Sequence, residues 1–248
     1  CYAPVPSKDA SGTYDERHEW DVDKTVFEIL NQGFAGDLLD WTWTVNVTEY
    51  LFEENFAVRG TITVYNPHPT VPMQVSLSDS VGSTTATLDC GGSLTVPATS
   101  SATCGYNVSL PSISDDANAP TLNTATVTFN DIDFGTTATI DYTPNRIREN
   151  ATLTDDEIGL NQNLTGHAQA GTYTFGPYNG DDFITCSSTR ADYFVDGVYT
   201  QITDTIVNWA YVHSDGVEQD KDDATTTWTC DASFVDIYKT TNGEPADP

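Results

Sequence analysis

From Leu38 to Thr48 the chain reads Leu-Leu-Asp-Trp-Thr-Trp-Thr-Val-Asn-Val-Thr. Successive side chains of an extended strand point to opposite faces. Leu39, Trp41, Trp43, Val45 and Val47 therefore share one face, and Asp40, Thr42, Thr44, Asn46 and Thr48 share the other. Such a strand packs one side on a core and wets the other. The pattern recurs. In 56–65, Val58, Ile62 and Val64 point inward, and in 122–130, Ala125, Val127 and Phe129 do. Further strands are expected at 20–29, 73–78, 84–90, 93–96, 102–110 and 134–142, then at 150–154, 171–178, 182–187, 192–200, 202–212 and 225–238. The run Ile206–Val212 is apolar on both faces, as a central strand would be, and 213–223 reads as an acidic loop. No helix is expected, and turn signals at roughly 8–12-residue spacing are what β-sandwiches give.

The fold expected is all-β, in two β-sandwich domains. One sandwich needs roughly 100 residues, and the chain has 248. A polar arm at 1–13 precedes a first domain at 14–145; a second domain at 146–240 and a tail at 241–248 follow. The linker is expected in Pro144–Glu149.

Charge narrows the partners. Nine Lys and Arg stand against 37 Asp and Glu, a formal net charge of −28. Phosphate backbones would be repelled, so nucleic acid is excluded as a partner, and anionic membrane surfaces are disfavoured for the same reason. No apolar run is long enough to span a membrane. The absence of a leader, with Cys1 first, reads as a mature secreted form. Cysteines stand at 1, 90, 104, 186 and 230. Cys90 and Cys104 can both face one core, and Cys186 with Cys230 is the obvious second pair, although spacing alone leaves three connectivities open. Paired cysteines imply an oxidising compartment and an extracellular or cell-surface location. Cys1 is left for a lipid anchor, an intermolecular bridge or a reactive thiol. Four glycosylation triplets begin at Asn46, Asn107, Asn150 and Asn163.

No catalytic set emerges. The histidines, at 18, 68, 167 and 213, are scattered without metal-ligand spacing, and no nucleophile elbow, phosphate loop or dinucleotide fingerprint occurs. The chain therefore reads as a non-enzyme. Calcium is the expected ligand, because it takes several carboxylate and carbonyl oxygens. The first candidate site is Asp215, Glu218, Asp220, Asp222 and Asp223. Asp131 with Asp133 is a second, and Asp181 with Asp182 a third.

The segments Trp20-Asp-Val-Asp-Lys-Thr, Trp43-Thr-Val-Asn-Val-Thr, Asn55-Phe-Ala-Val-Arg-Gly-Thr-Ile-Thr-Val-Tyr-Asn-Pro and Thr172-Tyr-Thr-Phe-Gly-Pro-Tyr resemble those of secreted prokaryotic surface proteins. Such proteins carry tandem immunoglobulin-like modules of the repeat type found in adhesins. The resemblance spans roughly residues 18–235 and implies fold and location; it supplies no catalytic residue. The function expected is a structural subunit of an extracellular filament, sheath or adhesive surface layer. Copies of the chain would assemble by terminal-strand exchange, with 1–13 or 233–239 as the donated strand. The alternative is a calcium-dependent adhesin or carbohydrate-binding module with a glycan or cell-surface ligand.

Overall fold

The computed structural model describes residues 2–166, 171–179, 183–232, 240–241 and 244–245. Apart from two 3₁₀ turns, Asp116–Asn118 and Arg190–Tyr193, the regular structure described is all strand. The first strands are β1 (Val5–Lys8), β2 (Ser11–Phe27), β3 (Leu30–Phe34), β4 (Leu38–Leu39), β5 (Thr42–Asn66), β6 (Met73–Val81) and β7 (Thr84–Thr85). Next come β8 (Thr87–Leu88), β9 (Ser93–Val96), β10 (Ser100–Ser109), β11 (Leu122–Phe129), β12 (Ile132–Thr139) and β13 (Tyr142–Ile147). The last part of the chain holds β14 (Asn150–Asp155), β15 (Leu160–Thr165), β16 (Thr172–Asn179), β17 (Ile184–Thr185), β18 (Phe194–Val195), β19 (Val198–Tyr199), β20 (Ile202–Ser214) and β21 (Val217–Asp231).

The chain forms two compact units, each drawn from two segments: residues 1–18 with 51–149, and 19–50 with 150–248. One division falls between Glu149 and Asn150, whereas the second domain was expected from residue 146. Residues 19–50, expected in the first domain, belong instead to the second unit. The cause is strand length: β2 has 17 residues and β5 has 25, and each continues past the point where its core changes. In β5 the inward positions are Trp43, Val45 and Val47, then Phe56, Val58, Ile62 and Val64. Odd positions give way to even ones across Asn55, which has a φ of 58°. An extra residue in left-handed backbone shifts the alternation by one, as a β-bulge does.

In the first unit, β13-β2-β5-β10-β8 form one layer, with β1 also on β5. The other is β12-β11-β6-β7, with β9 on β6. Tyr14, Phe56, Val58, Ile62, Val64, Tyr106 and Val108 from one layer meet Val75, Leu77, Val81, Ala125 and Val127 from the other. In the second unit, β16 lies on the early part of β5, and the facing sheet runs β15-β14-β20-β21-β3. Trp20, Val22, Val45 and Val47 pack there against Ala151, Leu153, Ala210 and Val212. Both units are thus two-layer β arrangements closed over an apolar core.

The polar arm expected at 1–13 is docked as strand: β1 runs antiparallel to β5 from Val5↔Tyr65 to Lys8↔Ile62, and β2 begins at Ser11. Two expectations about chain organisation change. The expected linker is largely strand β13, parallel to β2, with Arg146 donating to Glu16 at 3.0 Å. The acidic loop 213–223 is mostly strand. Ser214 faces Val217 across the two-residue turn Asp215-Gly216, both with positive φ, the geometry that Asp-Gly favours in hairpins.

Candidate functional site

Two of the chain's few lysines have fully buried side chains, one in each unit, and each meets an aspartate in the core. In the first unit Lys8 ends β1. Its side chain and that of Asp79 are both 0% exposed, and its Nζ donates to Asp79 Oδ1 at 2.5 Å. The same Nζ donates to Asn123 Oδ1 and sits 4.4 Å from the centroid of the Tyr106 ring. The alternation of β6 (Val75, Leu77, Asp79, Val81) and of β11 (Asn123, Ala125, Val127) points both polar groups inward. Asp79 lies opposite Ala125, and Asn123 opposite Val81, so Asn123 is the diagonal neighbour of Asp79. Asp79 Oδ2 and Asn123 Nδ2 have no hydrogen-bond partner among the described residues. Burial pulls the Lys8 amine below its ordinary value, partly opposed by its hydrogen bond to Asp79. It pushes the Tyr106 phenol up, with the charges of Asp79 and Asp9 adding to it.

The second unit repeats this design. Lys24 on β2 follows Trp20 and Val22 on the inward face, and its Nζ donates to Asp155 Oδ2, both side chains being 0% exposed. Nζ lies 5.2 Å from the ring of the fully buried Trp43. On β14 and β20, Leu153 pairs with Val212 and Thr154 with Tyr211; one step further sets Asp155 against Ala210. Asn208 is then the diagonal neighbour of Asp155, as Asn123 is of Asp79. Asn208 is 1% exposed, and neither Nδ2 nor Oδ1 of its amide finds a hydrogen bond among the described residues; nor does Asp155 Oδ1. Burial lowers the Lys24 amine to about 8, with Glu157 and Asp222 acting in the opposite direction. Each site thus gathers an amine, a carboxyl and a carboxamide on inward-facing positions of a dry core. Buried charges with unsatisfied oxygens and amides are costly, at about 1–3 kcal/mol per orphaned polar group.

The disulfides form as the sequence pairs them. Cys90–Cys104 and Cys186–Cys230 each bring their Cα atoms to 5.5 Å, one bond in each unit. Cys1 lies outside the described residues, as do Asp181, Asp182 and His167.

The acidic clusters do not converge. Among the described residues no three His, Cys, Asp or Glu side chains group as metal ligands would. Asp215 sits in the hairpin turn, Glu218 faces Lys221 at 3.6 Å, and Asp223 lies opposite Trp209. Asp220 Oδ2 accepts from the Val22 N–H at 2.9 Å and Asp222 Oδ2 from the Lys24 N–H at 2.7 Å. These two carboxylates serve strand β2 as a side-chain substitute for a ladder partner. Asp21 beside them is raised above its ordinary value by burial first, then by a hydrogen bond and charge from Asp220. Asp131 is not on a strand face with Asp133. It forms the turn Asn130-Asp131 between β11 and β12, while Asp133 accepts from Thr128 Oγ1 at 2.6 Å.

Asn107, Asn150 and Asn163 are exposed, as acceptors for a glycan would be. Asn46 is only half-exposed, and its amide is engaged by Thr174 and Asp23. His68 folds back on its own turn, Nδ1 accepting from the N–H of Thr70 and Val71. Trp20, Trp41 and Trp43 are core residues, but Trp209 is 40% exposed. The strand β20 is central in its sheet, yet only one of its faces is covered.

No family model matches the chain, and no curated protein does. Among solved structures, a family 123 glycoside hydrolase from Clostridium perfringens is similar over 49% of this chain and 28% of its own, at 11% identity and a TM-score of 0.22. The chain thus spans less than a third of that hydrolase. The CupB6 tip adhesin from Pseudomonas aeruginosa is similar over 87% of this chain and 99% of its own, at 7% identity and a TM-score of 0.19. Likenesses this low carry no argument about family, substrate or assembly.

Proposed function

We propose that the protein is a structural module of an extracellular surface assembly, a filament, sheath or adhesive layer, built on two immunoglobulin-like sandwiches. The observation that carries this reading is the way each core is tied. Each unit has its own disulfide and its own buried lysine clasp. Disulfides belong to an oxidising compartment, and no described helix is long and apolar enough to cross a membrane. Cores held this way suit a part that must stay folded under load. The first strand, β1, fills its place on β5 of its own chain, which leaves an N-terminal exchange no open slot. The other candidate donor, 233–239, lies outside the described residues. Negative-stain microscopy of native material tests the reading. Regular polymers that vanish on deletion of 233–248 are expected, and dispersed particles in native material overturn it.

A second reading, a carbohydrate-binding module, is favoured by one surface. On the outer face of β20, Trp209 stacks on Tyr211 with centroids 6.4 Å apart, and Tyr211 lies 6.3 Å from His213. A flat ladder of rings on an exposed sheet is suited to stacking on sugars. Binding on a glycan array, lost in Trp209→Ala, supports it; a silent array with the intact chain removes it.

A further inference from the structure

We infer that the two buried clusters are sites of self-catalysed covalent cross-linking, in which Lys8 Nζ is acylated by the side chain of Asn123 and Lys24 Nζ by that of Asn208. Asp79 and Asp155 are the respective proton carriers.

Both cores hold groups that an interior resists. A lysine is placed there only against a strong desolvation penalty, and a buried asparagine whose amide nitrogen finds no acceptor among the described residues is rare. Here both oddities occur together and occur twice. In the first site the amine touches both partners: Nζ donates to Asn123 Oδ1 and lies 2.5 Å from Asp79 Oδ1. In the second, Nζ donates to Asp155, and Asn208 stands one inward position along the neighbouring strand with its amide unpaired among the described residues. In both, the asparagine is two residues before an alanine set against the aspartate: Ala125 pairs with Asp79, and Ala210 meets Asp155 when the register is carried one step past Thr154↔Tyr211. An aromatic ring, Tyr106 or Trp43, closes over the lysine nitrogen. Two unrelated core accidents would not reproduce one register, one set of three functional groups and one aromatic cover. Both lysines lie in strands of one layer and both asparagines in the facing layer of the same unit. Each bond would therefore lock the two layers of its unit together.

The chemistry needs nothing from outside. In the dry site the ammonium passes a proton to the aspartate, leaving a neutral amine and a carboxylic acid. A desolvated lysine is a competent nucleophile. Its nitrogen attacks Cγ of the asparagine while the carboxylic acid hydrogen-bonds the amide oxygen and stabilises the developing charge. The aspartate then relays the proton shed by Nζ to the departing nitrogen. The Nζ–Cγ bond forms, the Cγ–Nδ2 bond breaks, and ammonia leaves with the relayed proton, while the aspartate keeps the proton it took from the ammonium and ends as the carboxylic acid. Amine and carboxamide become a secondary amide plus ammonia, with no oxidant and no cofactor. The product replaces a buried ammonium by a neutral amide, which removes its desolvation cost.

Intact-mass measurement of the full chain after disulfide reduction tests this directly. Each bond removes one ammonia, about 17 Da, so the chain is expected about 34 Da below the mass of its sequence. Lys8→Arg and Lys24→Arg should each restore about 17 Da, and Asp79→Ala and Asp155→Ala should do the same at the corresponding site. A wild-type chain at its full sequence mass overturns the inference, whether or not any variant folds. A loss that persists in the lysine variants marks imide closure at asparagine and also overturns it. Whether the chain polymerises has no bearing on either mass.

Discussion

The substitution Asn208→Ala separates a free Lys24 from an acylated one through the pH dependence of stability. In the variant no bond can form, so Lys24 keeps an amine that burial holds near 8, against 10.5 in an unfolded chain. Between these values the unfolded state binds the proton and the folded state does not. Stability then rises with pH, because the unfolded state is the one that must give up a proton. Below the folded value both states are charged, and the folded state carries the full penalty of a buried ammonium. A tenfold difference in proton affinity between the two states is worth about 1.4 kcal/mol, so from pH 8 to 9.5 the variant should gain up to about 2 kcal/mol. Higher pH is avoided, since Tyr14 and Tyr106, both raised by burial, titrate in the opposite sense as the unfolded phenols ionise. Wild type, with its nitrogen in an amide in both states, should show no such gain. Denaturant titrations of both proteins at pH 7.5, 8.5 and 9.5 read the difference. Equal rises in the two proteins would mean that wild-type Lys24 is still an amine; a flat variant would mean that the core does not depress it.

Other expectations are simpler. Replacing Cys186 and Cys230 by Ser opens a loop with a separation of 44 residues, which loop-closure entropy values at about 4 kcal/mol, and the denaturant midpoint should fall accordingly. Asp220→Ala should cost about 1–2 kcal/mol by orphaning the Val22 N–H, seen as a lower midpoint that calcium does not restore. Asp21→Asn should raise the melting temperature at neutral pH and low salt. Asp21 is held above its ordinary 3.8 in the fold, so its ionisation penalises the folded state as pH rises through the raised value. The gain should disappear below the ordinary value, where both states are protonated.

Much of the fold was legible in the alternation. The inward faces of 38–48 and 56–65 are the buried ones, because a two-residue period leaves little choice once one face is apolar. The Cys90–Cys104 pair was also readable from the faces of its strands, and Cys186 with Cys230 from their place in the second half of the chain. The division of the chain was not. Nothing in the Leu39–Val47 stripe says which core it serves, and the shift of phase at Asn55 needs a backbone angle that asparagine only permits. The acidic residues near 220 misled for a physical reason. A cluster in sequence is spread by a strand at about 3.3 Å per residue, and Asp220 and Asp222 are occupied by backbone N–H groups of a distant segment.

The buried clusters were missed although they left a signal. Lys24 falls in phase with Trp20 and Val22, Asp79 with Val75 and Leu77, Asn123 with Ala125 and Val127, and Asp155 with Ala151 and Leu153. Polar residues in the apolar phase of a strand mark groups that the core must satisfy. Asn208 was hidden because the run 206–212 is apolar on both faces. Lys8 was hidden because its strand is only four residues long. Such a short strand has little alternation to read.

A lysine joined to an asparagine by a bond, and not merely by contact, leaves a mark that survives digestion. Tandem mass spectrometry of a proteolytic digest of the reduced chain reads that mark at the residue level. Branched peptides are expected that join the Lys8 segment to the Asn123 segment and the Lys24 segment to the Asn208 segment. Linear peptides carrying unmodified Lys8, Lys24, Asn123 and Asn208 throughout the sample would contradict the cross-links.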